Sequence, residues 1–304
     1  MDNPLRRADC TEIMPRILIA GCGYVGKATA DLFYSNGWEV EGWVHSTESA
    51  ARLSPKPYCI RVIDVSERSE VAKAAGAFDA VIHCASSRGG DAEAYREIYL
   101  NGARNLLETL PKAKMMFTSS TSVYAQRDGS WVTEESETKP TWETSRILLE
   151  VEELVLAKGG IIARLAGIYG PLRSAMLSKF LTGTATIDAS NDRFVNQVHR
   201  DDIASALFLL LDREAQTSAQ IYNIVDDQPL LQTECYAWLA KTLNRTLPAT
   251  RKSEQPRKRG NTNKRVSNAK LHQLGWRPVY PTFVDAMEKS ILSSFGETIT
   301  PTSH

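Results

Sequence analysis

Three glycines in one short segment carry the most legible chemistry in this chain. They stand in Arg16-Ile17-Leu18-Ile19-Ala20-Gly21-Cys22-Gly23-Tyr24-Val25-Gly26. An apolar run leads into the segment and an amphipathic run leads out, which places the glycines at a turn from strand to helix. Gly21 then permits the tight turn, Gly23 leaves room for an anion to approach the backbone, and Gly26 lets the helix lie close on the strand. The opening amides of the helix, from Tyr24 and Val25 onward, have no partner within the helix and point at that anion. The chemistry implied is the holding of a dinucleotide's pyrophosphate, and the cofactor expected is NADP or NAD.

Other residues refine that expectation. Asp64, with Val65 after it, follows the third apolar run, where a carboxylate can accept a hydrogen bond from an adenine amino group. NAD-specific sites usually place an acid at the end of the second strand, against the ribose hydroxyls. Here that strand ends Trp43-Val44-His45-Ser46-Thr47, and the nearest acid is Glu48. His45, Ser46 and Arg52 are groups that could accommodate a 2′-phosphate, so the pattern favours NADP over NAD. Ala85 and Ser86 follow the fourth run and are expected to line the coenzyme.

Positioning these residues takes alternating strands and helices, and the chain supplies them. Strands are expected at 16–20, 39–44, 60–64, 80–84, 114–119, 161–165 and 221–224, with helices at 24–36, 67–75, 94–110, 144–158, 174–182, 202–211, 232–243 and 282–292. The stretch 185–198 reads as irregular. Asp201 or Asp202 is the expected cap of the helix that follows. The alternation predicts an α/β fold, a Rossmann-type doubly wound parallel sheet with a small C-terminal substrate lobe. The expected division is an N-terminal extension at 1–15, a Rossmann domain at 16–172, a lobe segment at 173–194, a return to the Rossmann domain at 195–225, the lobe at 226–296 and a tail at 297–304.

Composition narrows the class of protein. The chain has 304 residues, 36 basic and 36 acidic, so its formal net charge is zero. No bulk field draws it to nucleic acid or an anionic membrane. No apolar run is long enough to span a bilayer, and the first residues lack an apolar signal core. Five scattered cysteines, Cys10, Cys22, Cys59, Cys84 and Cys235, form no C-x-x-C pair, so no metal site is expected. A cytoplasmic location with reduced thiols fits this usage.

Several motifs occur together and in order. The glycine turn and Asp64-Val65 are followed by Asp79-Ala80-Val81-Ile82-His83-Cys84-Ala85, then Asn101-Gly102-Ala103-Arg104-Asn105-Leu106-Leu107. Phe117-Thr118-Ser119-Ser120-Thr121-Ser122-Val123-Tyr124, Arg164-Leu165-Ala166-Gly167-Ile168-Tyr169-Gly170-Pro171 and Val198-His199-Arg200-Asp201-Asp202-Ile203-Ala204 complete the set. Over about residues 16–290 the chain resembles the extended short-chain dehydrogenase/reductases, the NAD-dependent epimerase/dehydratase superfamily. Within it the pattern looks like the atypical branch, most like the bacterial YeeZ-like proteins. The resemblance implies an oxidoreductase or epimerase acting on a hydroxyl or carbonyl group of a small molecule, a sugar nucleotide being one class.

The resemblance breaks at the catalytic helix. The superfamily carries Tyr-x-x-x-Lys there, with Glu four residues beyond the lysine. This chain reads Trp142-Glu143-Thr144-Ser145-Arg146-Ile147-Leu148-Leu149-Glu150, so Glu150 sets a register with Trp142 for the tyrosine and Arg146 for the lysine. An indole N–H donates but does not titrate usefully, and a guanidinium fork does not replace an ammonium group for group. The resemblance leaves Ser120 to polarise a substrate oxygen, Arg146 to hold the nicotinamide ribose, and Tyr124 as the nearest substitute acid/base. Tyr169 and His199 are expected along the substrate region, with His199 bracing a loop as the plainer role for that residue. Asn101 is expected to support the sheet. The basic run Arg251, Lys252, Arg257, Lys258, Arg259, Lys264, Arg265 reads first as a solvated loop; the resemblance, which places the C-terminal domain over the cofactor, implies as an alternative that it grips a diphosphate or carboxylate, with Arg257 as the candidate. The missing Tyr–Lys pair leaves a second possibility open, an NAD(P)-binding regulatory or assembly protein without turnover. Family members pair through the equivalents of 94–110 and 144–158, so a homodimer is implied by analogy.

Overall fold

The computed structural model describes residues 14–188, 192–250 and 262–296, apart from the side chains of residues 214 and 215. Its centre is β1, Arg16–Ala20, in which Ile17, Leu18, Ile19 and Ala20 are all fully buried. A strand apolar on both faces belongs in the middle of a parallel sheet covered on both sides. On one side of it lie β2, Glu39–Val44, and β3, Cys59–Val62. On the other lie β4, Ala80–His83, β5, Lys114–Ser120, β6, Ile161–Leu165, and the strand Ile221–Ile224 at the edge. The seven strands run in the order β3-β2-β1-β4-β5-β6-edge, and every pairing is parallel. The chain changes direction across the sheet between β1 and β4, which opens a crevice at their carboxyl ends.

Helices cover both faces. The helix α1, Tyr24–Ser35, packs on the late helix Arg200–Asp212, with the Phe33 and Phe208 rings 5.0 Å apart. Four further helices matter to the site. Thr47–Leu53 is α2, and Arg68–Ala74 is α3. The third, α4, runs through Ala92–Tyr95, Arg96–Asn101 and Gly102–Thr109, with π-helical geometry in its middle segment. The fourth, α5, is Glu143–Leu156. Arg96 ties α4 to α5 through Glu143 at 3.2 Å and Glu150 at 3.4 Å. A second apolar cluster holds Tyr169, Leu177, Phe180, Ile187, Tyr236, Leu239, Phe283, Met287 and Ile291, apart from the cluster around the sheet.

The elements depart from the sequence reading where side chains or distant pairings decide. β3 ends at Val62 rather than at residue 64, because Asp64 accepts from Ser66 N at 2.9 Å and Ser66 Oγ at 2.7 Å and bends the chain. α2 is unforeseen; Ser46 starts it by accepting from Ser49 N at 3.3 Å. The stretch 185–198 contains short strands made by distant partners: Thr186–Ile187 pairs with Ala249–Thr250, Phe194–Val195 with Leu230–Leu231, and Gln197–His199 with Gly167–Tyr169. The helix Arg200–Asp212 is capped by neither aspartate but by His199, whose ring accepts from Asp201 N at 3.2 Å. Asn101 is exposed, and Asn105 takes its expected place, donating to the carbonyls of Val65 at 3.0 Å and Ser66 at 2.9 Å.

One buried ion pair joins the elements beside the crevice. Glu152 of α5 is 2% exposed and Arg164 of β6 is 3% exposed. Arg164 Nη2 donates to Glu152 Oε2 at 2.6 Å, and Nε donates to Oε1 at 3.0 Å. Ser119 Oγ donates to Glu152 Oε1 at 2.6 Å, and Arg164 Nη1 donates to Tyr124 Oη at 2.9 Å. Removing one partner strands the other charge, whereas replacing both by apolar side chains does not. Arg164→Ala is therefore expected to lower the unfolding free energy by about 3–5 kcal/mol. The double change Glu152→Met with Arg164→Met should recover most of that loss, both read by urea denaturation.

Candidate functional site

The site begins at the turn between β1 and α1. Gly21 has φ +104, and a Cβ there would stand 2.2 Å from Ala85 N. Its N–H and that of Cys22 both donate to the Trp43 carbonyl, at 3.1 and 2.7 Å. A Cβ on Gly26 would meet the Gly21 carbonyl oxygen at 2.3 Å, so helix and turn are in direct backbone contact. Gly23 differs: a Cβ on it would meet nothing nearer than the Gly21 oxygen at 4.0 Å. It is exposed at the end of the turn. The first amide of α1 used within the helix is that of Lys27, which donates to the Gly23 carbonyl at 2.8 Å. The amides of Tyr24, Val25 and Gly26 have no acceptor among the described residues, and no side chain caps the helix. Three free donors at a helix start, reached past an absent side chain, suit a phosphate.

Around this turn stand the other predicted coenzyme residues. His45 is exposed, with Nδ1 3.4 Å from Asp64 Oδ2. Asp64 gives its other oxygen to Ser66, as described, so one carboxylate oxygen remains toward His45 and the crevice edge. Val65 is buried. Ser46 is occupied in capping α2, and Arg52 is paired with Glu48 at 2.6 Å. Ala85 touches Gly21, and exposed Ser86 accepts from Arg88 N at 3.2 Å.

The catalytic candidates separate. Ser120, at the end of β5, accepts from Ser122 N at 3.1 Å, and its own proton has no acceptor among the described residues. It is half-buried and free to donate. Tyr124 is corrected: it is fully buried, donates to Asn223 Oδ1 at 2.9 Å and accepts from Arg164. Burial pushes its hydroxyl above the usual phenol range, Arg164 only partly offsetting this. A phenol so enclosed is a packing group and reaches no substrate. Trp142 stands at the N-cap position of α5 without a capping hydrogen bond and is 45% exposed. Arg146 is exposed, and Nη2 donates back to the Thr141 carbonyl at 3.2 Å. No Tyr-x-x-x-Lys occurs anywhere in the chain.

Two expected substrate contacts are also corrected. Tyr169 is fully buried, with its hydroxyl beside the buried carboxyl of Asp226. Burial, reinforced by the field of Asp226, raises it well above the usual range. His199 is fully buried as the helix cap, its Nε2 3.0 Å from Ser290 Oγ and its ring 3.9 Å from that of Tyr280. It braces the sheet unit against the last helix. Asp202 is likewise structural, accepting from Val279 N at 2.6 Å and Tyr280 N at 3.0 Å. Arg257 and the run 251–261 lie outside the described residues. Of the remaining basic side chains, Lys264 is buried, with Nζ 3.0 Å from the Tyr124 carbonyl, and Arg265 donates to the Gly129 carbonyl at 2.8 Å. Neither belongs to an open anion-gripping loop. Arg173 and Arg200, given no role in the sequence reading, both lie over the Tyr24 ring.

A parallel sheet with a glycine turn and open helix amides at its switch point defines a Rossmann-type dinucleotide-binding protein. The model of the NAD dependent epimerase/dehydratase family matches residues 17–225, and the chain belongs to that family. It is 29% identical over 282 residues to protein YeeZ of Escherichia coli K12, covering 88% of this chain and 97% of the relative. A solved structure from Methylobacillus flagellatus, named for the NAD-dependent epimerase/dehydratases, is 27% identical with a TM-score of 0.76, over 93% of this chain and 99% of that one. The UDP-glucose 4-epimerase of Thermus thermophilus, solved with NAD, shares the fold at a TM-score of 0.78 and 20% identity, over 93% of this chain and 99% of that one. No helix among the described residues is long and apolar enough to cross a membrane.

The geometry separates binding from folding at Gly23. Gly23→Ala should melt close to the wild type, because its Cβ enters open space, yet weaken the coenzyme about tenfold in fluorescence titrations with NADPH and NADH. Unchanged affinity would remove the turn from the site. A second expectation concerns acid. Burial holds the His199 imidazole down to about 4 against an ordinary 6.5. As pH falls through that window the unfolded chain takes up the proton first, so the folded state loses stability between pH 6.5 and 4. Asp202, raised by burial to about 6, opposes this, since its folded form keeps a proton that the unfolded form releases. The melting curve of wild type minus His199→Asn, which keeps a capping acceptor, isolates the histidine and should fall toward pH 4.

Proposed function

We propose that the chain is an NAD(P)-dependent oxidoreductase or epimerase acting on a hydroxyl or carbonyl group of a small molecule, with sugar nucleotides as the substrate class. The single observation that carries this reading is the open turn: three free amides of α1 beneath Gly23, locked by the backbone contacts of Gly21 and Gly26. These residues fit the coenzyme's pyrophosphate. When bound, the nicotinamide supplies a hydride acceptor or donor. Ser120 offers its unused proton to the substrate oxygen. Arg146, exposed on α5, is assigned to the nicotinamide ribose. With Tyr124 enclosed, the substrate proton is exchanged with water rather than with a phenol.

For the coenzyme we favour NADP over NAD. No acid ends β2, and exposed His45 is the group left beside the turn for a 2′-phosphate, Ser46 being engaged in capping α2 and Arg52 with Glu48. On the same reading, residues 16–172 and 195–225 serve the coenzyme, while 173–194 and 226–296 serve the substrate. The family resemblance extends the proposal to a homodimer paired through α4 and α5 and to a cytoplasmic location.

A second reading has an observation of its own. Tyr124 is enclosed and Trp142 and Arg146 stand exposed in place of Tyr and Lys, which favours a coenzyme-binding regulatory or assembly protein without turnover. A panel of UDP-sugars and small carbonyls decides between the two, followed by nicotinamide absorbance and by proton NMR for epimers. Under the enzyme reading the wild type turns over at least one substrate, and Ser120→Ala lowers kcat about 10- to 100-fold. If the wild type is silent while Trp142→Tyr with Arg146→Lys gains activity, the non-catalytic reading holds.

A further inference from the structure

Tyr24 opens α1 at the mouth of the glycine turn, and two cations from distant segments lie over its ring. The guanidinium carbons of Arg173 and Arg200 each stand 5.0 Å from the ring centroid. The Tyr24 hydroxyl donates to the Pro171 carbonyl at 3.0 Å, which fastens the ring to the turn that carries Arg173. That turn is closed in both directions: Gly170 N–H donates to the Arg173 carbonyl at 2.9 Å, and Arg173 N–H donates to the Gly170 carbonyl at 3.0 Å. Leu172 within it adopts φ +59, a left-handed conformation unfavourable for leucine, and its N–H donates to Ser294 Oγ at 2.9 Å. A Cβ on Gly170 would stand 2.6 Å from Tyr24 Oη and 3.3 Å from Arg200 Cβ. Turn, ring and both arginine stems are therefore packed together beside the free amides.

The charges in this packing are unbalanced. Arg200 Nε donates to Asp201 Oδ1 at 2.8 Å, and its two terminal nitrogens have no acceptor among the described residues. The guanidinium of exposed Arg173 has neither a carboxylate nor a hydrogen-bond partner among them. Two like charges over one ring repel unless an anion lies between or beside them. Arginine suits that anion better than lysine would, because its plane can rest on an aromatic face while its fork gives two parallel N–H groups to a phosphate.

We propose that Arg173 and Arg200, stacked on Tyr24, bind a diphosphate at the mouth of the glycine turn. The proposal rests on the coenzyme reading above and deepens it, naming side chains that complete a phosphate site so far built from backbone alone. The diphosphate is supplied either by the coenzyme or by a nucleoside diphosphate substrate, and the two sources give different results.

The test uses Arg173→Gln, Arg200→Gln and the double variant of the full chain, each checked for a wild-type circular dichroism spectrum and melting temperature. NADPH and NADH are each titrated onto substrate-free protein by fluorescence, the tighter of the two serving as the coenzyme arm. Uridine diphosphate is titrated onto protein saturated with that coenzyme by calorimetry, and inorganic pyrophosphate onto coenzyme-free protein. Each single change is expected to weaken binding about tenfold, and the double change more, with a shallower dependence on salt. A loss in the coenzyme arm assigns the pair to the coenzyme; a loss confined to uridine diphosphate assigns it to the substrate. Arg173→Lys should recover only part of the affinity. A folded double variant that binds every probe within twofold of the wild type overturns the proposal. Should the wild type bind neither NADPH nor NADH, the coenzyme reading falls, and the pyrophosphate arm still decides the arginines: binding lost in the double variant upholds them, and binding unaffected or absent overturns them.

Discussion

Three stretches of backbone meet at Gly21, and the site depends on how closely they do so. The turn donates two amides to the end of β2, lies against the backbone at Ala85 beyond β4, and receives α1 at Gly26. A Cβ at Gly21 would need space already held by main-chain atoms, which cannot swing aside as a side-chain tip can. Close approach therefore fixes the direction of α1, and that direction aims its free amides at the crevice where the strand order reverses. The same approach brings Ala85 and the end of β2 to the glycine turn without any side-chain contact being required.

On the other side of the crevice a buried charge pair does the corresponding work. Glu152 and Arg164 are satisfied by each other, by Ser119 and by Tyr124, so the desolvation of two ions is offset within one connected network. Tyr124 passes the chain on to Asn223 of the edge strand, and Asn223 N–H donates to Glu134 Oε1 at 2.7 Å. The network spans β5, α5, β6 and the edge strand. It leaves Ser120, the neighbour of Ser119, with a free proton, and it encloses Tyr124 between Asn223 and Arg164. The same interactions that hold the site in shape thus limit its chemistry.

His199 and Asp202 show the same principle at the junction of the two apolar clusters. Both are polar residues in a motif that invites a catalytic interpretation. Both are spent on orphan backbone groups, His199 on the start of its helix and Asp202 on the amides of Val279 and Tyr280. The C-terminal segment is joined to the sheet unit through them, by satisfied hydrogen bonds as well as by apolar contact.

The sequence by itself determined the parallel sheet, the order of its strands along the chain and the glycine turn. Each of these depends on local period, on apolar runs of strand length and on a spacing that only a strand–turn–helix satisfies. It also determined that no Tyr-x-x-x-Lys occurs anywhere in the chain. Only the tertiary structure decided which polar side chains face the crevice. Tyr124, Tyr169 and His199 have the residue types of a site, yet each is fully buried, because burial depends on partners 30 to 99 residues away in the chain. Arg173 and Arg200 carry no local signal at all; they meet over Tyr24 because a strained turn and a helix start from separate segments are packed against the same ring. Local periodicity records what a residue's neighbours in sequence require, and it carries no record of which distant group will supply the missing charge.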